Sequence, residues 1–207
     1  MSKVVVSEFV SLDGVMQDPA GNEGSGLGAW SFQFDRGPDG DKFKLEEVLA
    51  SEALLLGRVT YQGFAEAWPS RTDDVGFADK MNGMPKFVVS TTLGEVEWSN
   101  SRLINDNVAE EVTKLKQQPG GDILIYGSGQ LVSTLMQHDL VDEYRLMVFP
   151  VVLGRGERLF RDGSGTTALR LKEAKPVGPN GVLMLTYEPA GREEEAAGTS
   201  GFAPRSS

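Results

Sequence analysis

Apolar positions recur along this chain with two different periods, and the switch between them divides it into elements. Val4 to Val10 is a β-branched run broken only by Ser7 and Glu8, the pattern of a strand buried on both faces. Ser11-Leu12-Asp13-Gly14 leaves it as a turn. Gln17 to Ala29 carries Gly21, Gly24, Gly26 and Gly28 and little that packs, which predicts a long mobile loop suited to a lid. Trp30, Phe32 and Phe34, spaced i, i+2, i+4, fit either an extended stretch with one buried face or a stacking wall for a flat ring. Near-helical spacing of Phe43, Leu45, Val48 and Leu49 predicts a helix over Asp41–Ser51. Ala53–Leu56 is a short core strand ending at Gly57, and Thr60–Glu66 a short helix.

The alternation then continues. Lys86–Ser90 is a strand, Val108–Gln118 a helix with Val112 and Leu115 inward, Asp122–Tyr126 a strand, and Gln130–His138 a helix. Beyond it, Glu143–Val151, Ala168–Ala174 and Val182–Glu188 are strands separated by glycine-rich or proline-rich turns, with no helix between them. Strand–helix units followed by strand–strand units predict an α/β fold with a mixed, mainly parallel sheet flanked by helices and antiparallel C-terminal strands. Residues 190–207 hold a triple glutamate followed by Gly, Ser, Ala and Pro, a composition expected for a disordered tail after one domain at 1–189. The apolar run Leu146–Leu153 fits a core strand or an interface strand.

Composition narrows the function classes. A formal net charge of −10 and a pI near 4.7 argue against nucleic acid or an anionic membrane as partner. A phosphate-bearing small molecule stays open, because backbone amides and a few arginines suffice locally. With no cysteine and one histidine, His138, thiolate chemistry, disulfides and the usual metal sites are excluded. Neither an apolar signal core nor a run of 18 apolar residues is visible, so the expected location is the cytoplasm.

Three strand ends finish in small or hydroxyl residues: Gly57-Arg58-Val59-Thr60, Ser90-Thr91-Thr92 and Gly127-Ser128-Gly129-Gln130. Ligands of open α/β sheets bind at the carboxyl ends of the strands, and helix N-termini there suit phosphate. Ordinary β–α turns with N-cap residues would look the same one at a time. A Rossmann fingerprint fails because Val132 takes its third glycine position, and no Gly-Lys-Ser/Thr forms a Walker loop. The Ser128 turn lacks G-x-S-x-G, and His138 lies about 15 Å further along the helix, so a serine hydrolase is not indicated. Asp13 is the acid best placed near this end, unless it only shapes an Asp-Gly turn. Arg58 suits a bidentate phosphate contact or a surface helix start.

The motifs Ser-Leu-Asp-Gly, Leu-Leu-Gly-Arg-Val-Thr-Tyr and Pro-Lys-Phe-Val-Val-Ser-Thr-Thr-Leu, in this order, resemble the dihydrofolate reductase superfamily. Tyr126-Gly-Ser-Gly-Gln-Leu, His138-Asp-Leu-Val-Asp-Glu-Tyr-Arg-Leu and Phe149-Pro-Val-Val-Leu-Gly-Arg-Gly are more specific. They resemble the reductase domain of the riboflavin-biosynthesis deaminase-reductase and its stand-alone bacterial relatives, across residues 3–188. The resemblance implies a dihydrofolate reductase-like fold and NADP(H) as hydride donor to a small pterin- or pyrimidine-like substrate. Gly57, Arg58 and Thr60 would meet phosphates, and Ser90, Thr91 and Thr92 the adenosine ribose with its 2′-phosphate. Gly127, Ser128, Gly129, Gln130 and Leu131 would wrap the pyrophosphate, while Val6, Leu12, Asp13 and Gly14 border the nicotinamide. Relatives of this kind are often homodimers. Two departures leave the substrate open. Tyr126 stands where the riboflavin reductases carry glutamate, and the first-helix carboxylate of dihydrofolate reductases has only Asp35, Asp39 or Asp41 as candidates. The rival reading is a non-catalytic nucleotide- or ligand-binding protein that keeps the fold.

Overall fold

The computed structural model describes residues 1–163 and 165–191. Apart from Ala190 and Gly191, the segment expected to be a tail lies outside the described residues. One eight-stranded sheet organises the rest. Its strands are β1 (Val4–Ser11), β2 (Ser51–Gly57), β3 (Lys86–Val89), β4 (Ser101–Ile104), β5 (Asp122–Ile125), β6 (Glu143–Phe149), β7 (Leu169–Val177) and β8 (Val182–Pro189). They lie in the order β4-β3-β2-β5-β1-β6-β8-β7. The first six are parallel, while β8 runs antiparallel to β6 and β7 antiparallel to β8. This is the mixed sheet that the change of period predicts.

Helices α1 (Gly37–Ala50), α2 (Arg58–Ala67) and α3 (Phe77–Gly83) cover one face, packing Val48, Tyr61 and Met81 on Val5, Leu54, Leu56, Val88 and Leu124. The other face takes α4 (Val108–Gln117) and α5 (Gly129–Gln137), whose Val112, Leu115, Leu131, Val132 and Leu135 meet Val4, Val6, Leu55, Ile123 and Ile125. Central parallel strands are therefore apolar on both sides, as the valine run of β1 requires. A third cluster, around Trp30, Met147, Phe149, Val177, Val182 and Met184, fills the antiparallel end. The strand β6 pairs with β1 on one edge and β8 on the other, so the apolar run at Leu146–Phe149 is interior.

Several expectations change. The first helix begins at Gly37, four residues before the predicted Asp41, because Pro38 fits a first turn where its missing N–H costs nothing. Residues Trp30–Gln33 form a 3-10 turn instead of an extended stretch, burying Trp30 and leaving Phe32 72% exposed. The Gln17–Ala29 loop is laced together by Asp18, which is 2% exposed and accepts hydrogen bonds from the Glu23 and Ser25 amides and the Ser25 hydroxyl. The elements α3 and β4 were not foreseen. Both are short, and a side-chain clamp holds them. Fully buried Lys86 donates to the carbonyls of Asn82, Met84 and Ser99 at 2.7, 2.9 and 3.0 Å and lies 4.2 Å over the Trp98 ring. Burial pushes its amine down to about 8. Asn82 completes the clamp, accepting from Trp98 Nε1 and donating to the Trp68 carbonyl.

Replacing Asn82 by alanine strands the buried indole N–H of Trp98. Urea denaturation should show a loss of about 1–3 kcal/mol, with the slope unchanged.

Candidate functional site

The two central strands part company at their carboxyl ends. The β1–β5 ladder runs from Val4↔Ile123 to Val6↔Ile125 and stops, while β1 stays paired with β6 as far as Ser11↔Phe149. A split therefore opens between Ser7 onward on one side and Tyr126-Gly127-Ser128 on the other. Side chains alternate across a strand, so Ser7 faces α1 and Glu8 faces the α4/α5 side.

On the α1 side the split is filled by a buried polar cluster. One oxygen of Glu47, Oε1, accepts from Lys44 Nζ at 2.6 Å, Ser7 Oγ at 2.8 Å and the Tyr126 hydroxyl at 2.8 Å. Lys44 Nζ also donates to Ser7 Oγ at 2.6 Å and sits 4.5 Å over the Tyr126 ring and 5.3 Å over Phe9. Arg145 Nη1 lies 3.8 Å from Glu47 Oε2 and pairs more closely with Glu143 and Asp122. Burial lowers the Lys44 ammonium, with Glu47 opposing. Burial and the nearby Glu47 carboxylate raise the Tyr126 hydroxyl well above its ordinary range. The buried carboxylate of the first helix is thus Glu47. Of the three acids considered from sequence, Asp35 accepts the Gly37 amide, Asp39 pairs with Lys175, and Asp41 pairs with Arg36.

The opposite side holds Glu8, only 6% exposed. Burial drives its carboxyl well above the usual carboxylate range; Lys44 and the Gly127 amide oppose this, and Glu47 and Glu23 reinforce it. Its Oε1 is buried without a hydrogen-bond partner. The signal for Glu8 was present in the sequence, as a charged residue inside a valine-rich buried strand.

Two of the three predicted strand ends converge beside the split. Ser128 Oγ accepts the Gly57 amide at 2.8 Å and donates to Thr60 Oγ1 at 3.1 Å. Gly127 and Ser128 both have left-handed backbones, with φ of 58° and 62°. A Cβ on Gly127 would fall 2.6 Å from Thr60 Oγ1, and one on Gly129 would fall 2.9 Å from Met16 Sδ and 3.7 Å from an Arg161 nitrogen. Neither α2 nor α5 has a side-chain cap at its N-terminus, so first-turn amides remain for a ligand. The third end is one residue past the Gly57↔Val89 pair, but no helix follows it. There, Ser90 Oγ accepts the Thr92 and Leu93 amides, leaving Thr91 and Thr92 exposed.

The other predicted residues divide. Leu12 is 65% exposed at the exit of β1, next to Gly14. Val6 and Leu131 lie in the core, so only their backbones can face a ligand. Arg58 is exposed, 3.1 Å from Gln62 Oε1. Arg161, which sequence reasoning passed over, reaches the start of α5 while pairing with Glu157. Asp13 is an anchor. Its carboxylate accepts from Ser11 Oγ and the amides of Leu153 and Gly154, with Arg158 at 3.8 Å. The Ser11 hydroxyl and these amides hold it down at about 2. These contacts favour its carboxylate form.

A cleft of about 230 Å³ opens beside the split, walled by Phe9, Phe32, Phe34 and Phe149 and reached by Arg36 and Asp41. A larger concavity of about 390 Å³ lies at the opposite end of the sheet, between Lys3, Asp139, Asp142 and Glu188, away from the strand carboxyl ends. Among the described residues no group of acidic or histidine side chains could hold a metal ion, and no helix is long and apolar enough to cross a membrane.

Several known proteins are similar to this chain in sequence or in architecture. The sequence profile of the RibD C-terminal domain family matches residues 2–183. The uncharacterized protein YyaP of Bacillus subtilis is 34% identical over 139 residues, covering 66% of this chain and 73% of that protein. The crystal structure of a putative riboflavin biosynthesis protein from Shewanella sp. PV-4 superposes with a TM-score of 0.69 at 22% identity, over 92% of this chain and 100% of that one. Dihydrofolate reductase from Enterococcus faecalis, complexed with NADP(H), superposes with a TM-score of 0.53 at 14% identity, over 91% and 97%. The fold is that of the dihydrofolate reductases.

Gly127→Ala forces a Cβ into a left-handed position already occupied by Thr60. It should lower stability by about 1–3 kcal/mol in thermal unfolding. Because the folded-state pKa of Asp13 lies below its ordinary value of 3.8, its contribution is full above pH 4 and fades as pH falls toward 2. Asp13→Asn should therefore destabilise most near neutrality, and its melting curves should merge with wild type at the acid end.

Proposed function

The chain belongs to the RibD C-terminal domain family, and on that footing we propose that it is an NADPH-dependent reductase of a small heterocyclic substrate of pterin or pyrimidine type. The observation that carries this reading is the meeting of two uncapped helix N-termini, through Gly57, Thr60, Gly127 and Ser128, beside the split between β1 and β5.

The residues present fit such a cofactor. Glycine at 127 and 129 lets this backbone pack directly against Thr60 and Met16, which a Cβ would displace, and so holds the two helix starts together. In an acidic protein, phosphate has to be held by local donors, and unpaired first-turn amides provide them without a large basic surface. In this reading Gly129, Gln130 and Leu131 offer amides to the diphosphate, Arg58, Thr60 and Arg161 flank it, and Ser90, Thr91 and Thr92 serve the 2′-phosphate end. Leu12 and Gly14 border the nicotinamide. NADPH, when bound, supplies the hydride. The protein's own part is to orient donor and acceptor and keep water from the transfer. A flat ring suits the cleft among Phe9, Phe32, Phe34 and Phe149, where aromatic faces give area and Arg36 and Asp41 give polar contacts. Asp13 positions the turn after β1 by holding the 153–154 backbone to it.

Calorimetric titration with NADPH and NADH tests the cofactor. NADPH should bind at least about tenfold more tightly than NADH. A screen of dihydropterins, aminopyrimidines and flavins, followed by loss of NADPH absorbance, should then reveal an acceptor. Failure of both nucleotides to bind sinks the reading. Binding of NADPH without oxidation by any acceptor would favour a ligand-binding role.

A further inference from the structure

Glu8 is a buried acid with an unsatisfied oxygen, and nothing in the phosphate cradle uses it. Its carboxyl lies on β1 two residues past the last β1–β5 pair, where the strands have separated. The Gly127 amide, across the split, works against the burial-driven rise of this carboxyl. Oε1 is buried without a hydrogen-bond partner, as Glu47 Oε2 is on the other face, and it leaves an acceptor in the split that a bound donor would satisfy. The same split is where the proposed cofactor's ring has to enter, since the cradle at Gly127–Gly129 opens beside it.

We propose that Glu8 recognises the carboxamide of the nicotinamide, with its carboxyl and the primary amide joined by two antiparallel hydrogen bonds. This rests on the cofactor reading above. A carboxylic acid and a primary amide are complementary: the acid O–H donates to the amide oxygen, and the amide N–H donates to the acid carbonyl oxygen. The arrangement requires the acid to carry its proton, and its surroundings favour that state. Burial raises the carboxyl, and Glu47 on α1 and Glu23 in the loop add negative charge on the same side of the balance. Lys44 on α1 and the Gly127 amide oppose, but Lys44 is drawn closely to Glu47, at 2.6 Å. The polar cluster on the other face thus leaves Glu8 free to act as a neutral donor and acceptor. Such a contact would fix the orientation of the ring in the split, which decides the face from which hydride leaves.

The test compares three probes by calorimetry: NADPH, its 3-acetylpyridine analogue, which lacks the amide N–H, and 2′,5′-ADP, which lacks the nicotinamide. Wild type should bind NADPH about tenfold more tightly than the acetyl analogue, because a buried acceptor left without its donor is costly. Glu8→Met, similar in length and unable to pair, should bind the two dinucleotides alike. Glu8→Gln, whose amide can pair with the carboxamide, should retain the discrimination. Affinity for 2′,5′-ADP should be the same in all three proteins, which also reports that the variants are folded. Equal binding of NADPH and the acetyl analogue by wild type overturns the proposal without reference to any variant. Undiminished discrimination by Glu8→Met overturns it as well, and both leave the cofactor reading intact. Absence of binding by all three probes removes the cofactor reading, and this inference with it.

Discussion

The separation of β1 from β5 after Val6↔Ile125 is the constraint from which the upper half of the molecule follows. Two central strands that stop pairing leave a gap at their carboxyl ends, which on the α1 side is filled by polar side chains. The chain meets this from three strands and a helix. Ser7, Tyr126 and Arg145 converge on Glu47, and Lys44 bridges Glu47 and Ser7. Burying such a pair costs several kcal/mol in desolvation per ion, which only close geometry and added hydrogen bonds offset. Three donors on one carboxylate oxygen supply that geometry. The cluster therefore sets the position of α1 against the sheet and, through Phe9 under Lys44, the floor of the aromatic cleft.

Charge is arranged in layers around this centre. The protein is acidic as a whole, yet the starts of α2 and α5 beside the split present amides, hydroxyls and a few arginines. Two aspartates act inside loops. Asp13 gathers amides from the 153–154 backbone, and Asp18 gathers those of its own loop. Carboxylates that accept several backbone N–H groups are held ionised and make stiff turns from glycine-rich sequence. A segment rich in glycine is thereby fixed by one acid, a result that composition does not convey.

The strands and the larger helices were legible because their burial is one-sided or complete, and periodicity reports burial directly. The strand-end motifs were legible for a related reason: small and hydroxyl residues at a strand's carboxyl end have few purposes. What escaped was held by particular side-chain hydrogen bonds, which leave no periodic pattern along the chain. The four-residue strand β4 and the seven-residue helix α3 owe their place to Lys86, Asn82 and Trp98. Trp30 and Phe34 both pack on Phe149 while Phe32 turns out to solvent, because a 3-10 turn has a different period from a strand. Helix α1 carries its pattern poorly, since the face it buries includes Gly37, Gly40, Lys44 and Glu47 alongside Val48.

By itself, the sequence determined the fold class, the order of its units, the excluded chemistries and the turns at Gly57, Ser90 and Gly127. These depend on local period, on residue type and on backbone freedom, all written along the chain. Only the tertiary structure decided which acids matter. Asp13 lies just past β1 and Glu8 within it, yet one is fastened by amides from residues 153 and 154 and the other is buried at the split, with an oxygen still unpaired. Ionisation and availability are set by what surrounds a group in space: for Asp13 the backbone of residues 153 and 154, and for Glu8 Lys44 and Glu47 of α1, Glu23 of the loop and Gly127.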